Sequence, residues 1–319
     1  MKAQPHFGKI AFTIAVIIIL LIAPLFIQSK YVIHVLFLMF LYSIYASSWN
    51  ILVYSGQFSL GHSAFLGLGG YASVLLAKTT GWHPVVTIFI GTAIAVAFGF
   101  VIGAACTKLR EWYLALVTAA APFILEGVVR GSPWAGGAYG VVAPALLQSV
   151  TEYYYLMFAY LIVTLVLVRL IMKSKLGLAF SAIRENEFEA RQMGIDVPRI
   201  KLLAFLISTF FAGLLGAIYA HYMLYISYEI FIFDNSVYPI LMSVLGGMGT
   251  LWGPVLGAVI LTFFLEYLRA LPIPVLRILF IGIIMLVVIR VLPKGIIPTI
   301  SESRLIQRLR LKPPSTTQL

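Results

Sequence analysis

Apolar runs close to 20 residues long recur along the whole chain, and no other feature limits its fold so strongly. Wound as a helix, such a run matches the roughly 30 Å hydrocarbon core of a bilayer. Clear runs occupy residues 10–27, 31–54, 84–106, 112–130, 153–172, 202–220 and 273–292. Two other stretches need more argument. Residues 58–77 are long enough to span but dense in Gly and Ser. Residues 236–268 are too many for one helix, and their centre, LGGMGTLWGP, breaks helices by composition. That stretch divides into a short helix before Gly246 and another after Pro254. The expectation is an all-α polytopic bundle of about ten membrane segments, forming one domain over residues 1–319. Composition excludes a soluble fold. Hydrophobic residues make up 61% of the chain and charged ones 10%, against about 25% charged in soluble domains. The run at 10–27 follows Lys2 and Lys9 and lacks a small-x-small cleavage pattern, so it reads as a retained first span.

The net charge of +11 sits in the connections between spans and reports topology first. With the N-terminus inside, ten crossings put fifteen Lys and Arg in the cytoplasm, from Lys2, Lys9, Lys108 and Arg110 through the cluster at 173–201 to Lys294 and the tail. Lys30, Lys78, Arg130, Arg269 and Arg277 fall outside. Both termini are therefore expected in the cytoplasm. Cys106 is alone, which rules out an intrachain disulfide and a Cys-based metal cluster.

Two connections are long. The outer loop from Arg130 to Glu152 is rich in Gly and Pro and reads as a folded, non-helical cap. The cytoplasmic loop 173–201 is different: from Leu178 to Met193 small and apolar residues recur at helical spacing among charges, before Gly194 and Pro198. One amphipathic helix on the cytoplasmic face is expected there. The tail 301–319 is basic and amphipathic, as an anchor on anionic lipid would be.

No enzyme motif is present: no phosphate loop with its Lys, no paired His with Glu, no nucleophile elbow. The His residues are dispersed, so no metal site is expected. The 173–201 loop carries the most information. Read blandly it is a solvated connector; read functionally it is a docking element that transmits force from a soluble partner. In that second reading Arg184, Glu185, Glu187, Glu189 and Arg191 supply directional charge, Asn186 belongs to the same coupling stretch, and Ala190 and Gly194 permit close approach.

Four stretches carry a family resemblance: SGQFSLGHSAFLGLGGY (55–71), LREWYLALVTAA (109–120), AIRENEFEARQMGI (182–195) and LGGMGTLWGPVLGA (245–258). In that order and spacing they resemble the LivM-type permease of bacterial ABC importers for branched-chain amino acids. The resemblance implies a non-catalytic inner-membrane subunit that pairs with a second, homologous permease, two ATPase subunits that bind ATP and Mg, and an extracytoplasmic binding protein. It also implies that the ENE-x-x-A-x-x-MG pattern is the helix that inserts into the ATPase. The chain departs from the family at Glu189, where Ala is usual, and in the outer loop. There WAGGAYGVVAP (134–144) keeps the glycines and final proline but changes the polar residues. Close relatives of such permeases carry urea or short amides, so the substrate stays open between the two.

An amino acid zwitterion needs donors for its carboxylate and acceptors for its ammonium, which broken helices supply. The Gly-rich stretch from Gly56 through Gly61 to Gly70, carrying Gln57, Ser59, His62 and Ser63, is the candidate pathway; the same glycines serve equally well for helix packing. Gly246, Gly247, Gly249 and Gly253 form a second broken segment. Glu126 lies inside an apolar span, where an unpaired carboxylate costs about 2.5–3.5 kcal/mol or more. It should face the bundle interior or water, or pair with Arg130 one turn on. A self-sufficient channel or proton-coupled carrier would need a titratable relay. The only other candidates, Glu266 and His34, are not brought together with Glu126 by these helix assignments.

Overall fold

A computed structural model describes residues 5–106, 111–269, 282, 283, 286, 290, 292 and 294–299. The expected span at 273–292 lies largely outside the described residues, and the tail 301–319 wholly so. The helices are α1 (Pro5–Phe26), α2 (Lys30–Tyr54), α3 (His62–Thr80), α4 (Pro84–Cys106), α5 (Glu111–Gly131), α6 (Val150–Lys173), α7 (Lys175–Glu185), α8 (Glu187–Gln192), α9 (Val197–Met223), α10 (Phe233–Gly246) and α11 (Gly253–Leu268). Among the described residues five helices are long and apolar enough to cross a bilayer: α2, α4, α5, α6 and α9. Large apolar side chains such as Leu25, Phe89, Val101, Leu116 and Leu170 point outward, as a lipid-facing surface requires.

Local chemistry sets the helix ends. The Ser149 side chain accepts the Glu152 N–H and opens α6. The Asp196 carboxylate accepts the Arg199 N–H and opens α9, with Pro198 in its first turn. The segment at 58–77 is helical only from His62. Residues 55–61 fold back along α2, held by the Trp49 indole N–H donating to the Ser59 carbonyl (2.8 Å) and by Ser48 Oγ against His62 Nε2 (2.8 Å). α3 therefore starts beside residue 48, about 9 Å above the end of α2 at 1.5 Å per residue. The helical break is shorter than the Gly content foreshadows, because Gly67 and Gly70 lie within α3.

Those glycines set the packing of the central trio, α3, α4 and α9. A Cβ on Gly216 would collide with the Leu66 carbonyl, one on Gly69 with the Gly213 backbone, and one on Gly67 with the Phe231 ring. A Gly91 Cβ would stand 2.6 Å from the Gly69 carbonyl. Water supplies no driving force between helices in lipid, so close backbone contact through small residues replaces it. α2 lies against α6, α9, α10 and α11 and completes the bundle.

The helix ends sort by contact into two groups. At one end the 55–57 turn, the C-terminus of α7, the start of α9 and the α10–α11 turn meet: Gln57 Nε2 donates to the Lys201 carbonyl (2.9 Å), and Asn50 bridges to Gly249 and Thr250. At the opposite end Val141–Val142 (β1) pairs antiparallel with Tyr225–Ile226 (β2), joining the loop after α5 to the loop after α9. The 130–152 connection is folded, as its Gly and Pro content implies, with two short 3-10 turns ahead of β1. His221 accepts from Ser73 or donates to it at 2.9 Å, and its other ring nitrogen lies 2.7 Å from the Pro144 carbonyl, fixing α9 to that cap.

Gly216→Leu is expected to lower the thermal midpoint of the detergent-solubilised chain by several degrees, since overpacking of a tight interface costs about 1–3 kcal/mol. Gly127→Ala, where a Cβ meets nothing within 4 Å, should leave it unchanged.

Candidate functional site

The 173–201 connection forms not one amphipathic helix but two, α7 and α8, separated by Asn186 in extended conformation (φ −156°, ψ 106°). The correction has a simple cause. Asn186 Oδ1 accepts the N–H groups of Phe188 (3.0 Å) and Glu189 (3.3 Å), and its amide donates to Glu189 Oε1 (2.8 Å). A side chain that caps the next helix this well ends the previous one. Glu189, the position that departs from the family pattern, thus stabilises the start of α8.

Glu187 holds α8 to the bundle. Its carboxylate takes Lys201 Nζ at 2.5 Å and Arg191 at 3.2 Å. Lys201, counted from sequence among the solvated cytoplasmic charges, is 3% exposed at the base of α9. A lysine so buried requires its counter-ion. Ala190 is fully buried against Ile183 and Val197 and faces the same chain. Gly194, at φ +83° with open space around it, turns the chain from α8 toward α9. Arg184, Glu185 and Glu189 remain exposed.

Phe188, which sequence reasoning passed over, is 69% exposed at the tip of α8, with Met193 beside the following turn also exposed. An aromatic residue alone in an acidic stretch was the available signal. Beneath this tip Arg184, though exposed, lies across the end of the bundle. Its backbone packs 3.2 Å from where a Gly56 Cβ would stand, and its guanidinium occupies the space a Gly249 side chain would need. Gly56 (φ +70°) and Gly249 (φ +71°) close the two broken segments, so one arginine touches both.

The residues assigned from sequence to a substrate pathway are buried at helix junctions. Gln57 Nε2 donates to Ser55 Oγ as well as to Lys201, and its Oε1 has no hydrogen-bond partner. Ser59 Oγ accepts the Gly61 N–H (3.3 Å). Ser63 binds Ser236 (2.7 Å) and the Phe231 carbonyl, tying α3 to the start of α10. His62 Nδ1 has no partner. Gly61 lies against the Thr118 carbonyl of α5; Gly246, Gly253 and Gly257 bring α10 and α11 into backbone contact. Glu126 is half-buried on α5. Arg130 stacks over Tyr228, 5.3 Å from its ring centroid, and among the described residues makes no ion pair with Glu126.

Two cavities open nearer the opposite end, and neither is lined by these residues. The larger, about 420 Å³, lies between α2, α9, the 225–232 segment and the start of α10. The smaller, about 140 Å³, is bounded by α2, α9, α10 and α11; the two share Tyr42, Tyr219, Met223 and Tyr238 as walls. His34 and Glu266, kept apart by the sequence assignments, both line the smaller one because α2 packs along α11. Glu266 is held there by Arg269 at 3.1 Å, and Glu126 stands elsewhere, on α5.

A family model described as "Branched-chain amino acid transport system / permease component" matches residues 31–289. The "High-affinity branched-chain amino acid transport system permease protein LivM" of Escherichia coli (strain K12) is 29% identical over 285 residues, covering 79% of this chain and 67% of that protein. Its Salmonella typhimurium counterpart is 29% identical over 290 residues, 81% of this chain and 68% of the relative. A "Probable branched-chain amino acid transport permease protein LivM" of Methanocaldococcus jannaschii is 28% identical over 271 residues, 73% of this chain and 78% of the relative. No solved structure matches the chain significantly.

Glu187→Gln is expected to leave Lys201 buried without a counter-charge. Breaking a buried pair from one side costs about 3–5 kcal/mol, and the partial exposure of Glu187 puts the effect here at the lower end or below. Hydrogen exchange over residues 186–194 should accelerate at least tenfold, and Lys201→Met added to the same chain should restore most of the protection.

Proposed function

We propose that this chain, which belongs to the permease components of branched-chain amino acid transport systems, is a membrane-spanning subunit of an ATP-driven importer in the bacterial inner membrane, carrying leucine, isoleucine and valine. One observation carries the reading of how it is driven. α7 and α8 form a surface knuckle with an exposed aromatic tip, and Arg184 at its root contacts both broken segments of the bundle. An element built this way receives force at its tip and delivers it to the two places where the helices are interrupted.

In this reading the α7–α8 end faces the cytoplasm, in keeping with the Lys and Arg distribution. Phe188 and Met193 enter an apolar cleft on an ATPase subunit, while Glu185 and Glu189 fix the register at its rim. Aromatic anchors surrounded by charge are the usual carriers of docking energy. Two ATPases closing on ATP and Mg draw this knuckle toward that of a second, homologous permease. The movement passes through Glu187–Lys201 to α9, and through Arg184 to the 55–61 and 247–252 turns. The pathway between the two permeases then changes the side to which it opens. The chain holds no ATP and catalyses nothing. It receives cargo from an extracytoplasmic binding protein at the β1–β2 end, where Trp134, Tyr139 and Val142 are exposed.

The test is uptake of labelled leucine, with urea as comparison, in vesicles containing the chain with and without its second permease, ATPase subunits and binding protein. Accumulation of leucine that requires ATP and every component is the expected result. Uptake by the chain alone would overturn the importer reading in favour of a channel or carrier, and ATP-dependent uptake of urea in place of leucine would overturn the substrate. Phe188→Asp and Gly194→Asp should each reduce leucine uptake at least tenfold while membrane insertion stays intact. Normal coupled uptake in both would remove α7–α8 from the mechanism.

A further inference from the structure

We propose that the second permease subunit seats on the face of the bundle formed by α5, the 224–232 segment and the start of α10, and presents a basic side chain there to Glu229 and Asp234. The inference rests on the importer reading above and names the side of this chain that its membrane partner covers.

Height in the membrane singles out this face. His62 stands beside Ser48, about 9 Å above the C-terminal end of α2, and Gly67 lies five residues further along α3, about 7.5 Å higher. Phe231 packs on Gly67, Ser236 bonds Ser63, and Phe233 stacks on Phe123 of α5 with ring centroids 5.7 Å apart. The chain from Leu224 to Ile232 therefore descends from the β1–β2 end to about the mid-height of α2. It does so through a short strand and one 3-10 turn, without an α-helix. At that depth backbone outside helices is tolerated where protein or enclosed water covers it, and not against lipid.

Charge falls at the same height. Glu229 and Asp234 are exposed on this segment, Glu126 is half-buried on α5 beside it, and none of their side chains bonds another described residue. Arg130, exposed near the end of α5, lies over the Tyr228 ring. Carboxylates within a bilayer face protein or water. The cavity of about 420 Å³ lies against Glu229 and Asp234 and opens at the surface of the bundle, so a further chain must close it off from hydrocarbon. The outward side chains of α4 and α6 differ: Phe89, Val101 and Leu170 are apolar and suit lipid.

Small residues on α5 give the surface its shape. Gly127 and Gly131 are exposed one turn apart, and a Cβ on either meets nothing within 4 Å. Gly69 and Gly216, in α3 and α9, are each filled by a neighbouring backbone. α5 offers the same kind of surface unfilled, the arrangement through which helices approach closely in lipid. The occupant follows from charge. Three carboxylates against one guanidinium leave the face acidic, so a second copy of this chain would set like charges against like. A different, homologous permease with Lys or Arg at this height neutralises it.

The experiment is photo-cross-linking in the complete importer complex, with benzoylphenylalanine placed singly at Ile124, Ile232, Phe89 or Leu170. Ile124 and Ile232 are expected to capture the second permease, and Phe89 and Leu170 are not. Gly127→Leu and Glu229→Lys meet open space, so each should leave the thermal midpoint of the detergent-solubilised chain unchanged. Each should also weaken its association with the second permease by about tenfold or more, read by energy transfer between labelled subunits. A complex that imports leucine but shows capture from Phe89 or Leu170 in place of Ile124 and Ile232, or unchanged association in both variants, would overturn the face and leave the importer reading standing. Capture of another copy of this chain at Ile124 and Ile232 would overturn the basic partner. Failure of the unmodified chain to recover any second permease would overturn the importer reading and this face together.

Discussion

A chain in hydrocarbon has no water to satisfy a backbone group left open by a broken helix, and this constraint organises the rest of the structure. α2 carries the answer for both breaks. Its last two turns present Ser48, Trp49 and Asn50, polar side chains that are costly in lipid but are each committed to a partner here. Trp49 takes the Ser59 carbonyl of the first break, and Asn50 both accepts from Gly249 and donates to the Thr250 carbonyl of the second. One helix end thus pins two interruptions that lie nearly 200 residues apart in sequence. Because both are pinned to the same place, a single arginine at the C-terminus of α7, Arg184, can reach both.

Much of this was legible in the sequence, and the reason is physical. Hydropathy over 20 residues does not depend on knowing any neighbour, so the long helices α2, α4, α5, α6 and α9 follow from composition alone. LGGMGTLWGP divides α10 from α11 because glycine density and Pro254 act locally. The family resemblance rested on four short stretches, and they correspond to the places where backbones touch or break: the start of α3, the α5 segment packed on Gly61, the α7–α8 turn and the α10–α11 turn.

What stayed hidden depended on partners distant in the chain or on one side chain overriding a pattern. The periodicity at 178–193 is continuous, yet Asn186 splits it because three hydrogen bonds at one residue outweigh propensity. Charge counting treats every lysine near a span as solvated, so it could not reveal that Lys201 is buried against Glu187. His34 and Glu266 are 232 positions apart, and only the packing of α2 on α11 brings them to one cavity. The tyrosines of the larger cavity come from α2, α9, β2 and α10, and tyrosine in a membrane chain ordinarily reads as an interface residue.

The two ends of the molecule are connected by the same helix that pins the breaks. Tyr45 lies one turn above Trp49 on α2, between the cavity and the buried His62 that opens α3. α9 runs the same course on the other side, from Lys201 beneath α8 to Tyr219 and Met223 in the cavity wall. A displacement of α7–α8 that rotates α9 or shifts the 55–61 turn therefore changes the cavity wall directly, through rigid helices of about 20–30 Å, with no intervening chain of loops. The close glycine contacts among α3, α4 and α9 make those helices move as a unit, because backbone packed on backbone has no side chain to yield. The bundle's two interruptions at Gly56 and Gly249, both in the left-handed region, lie outside that unit and against Arg184.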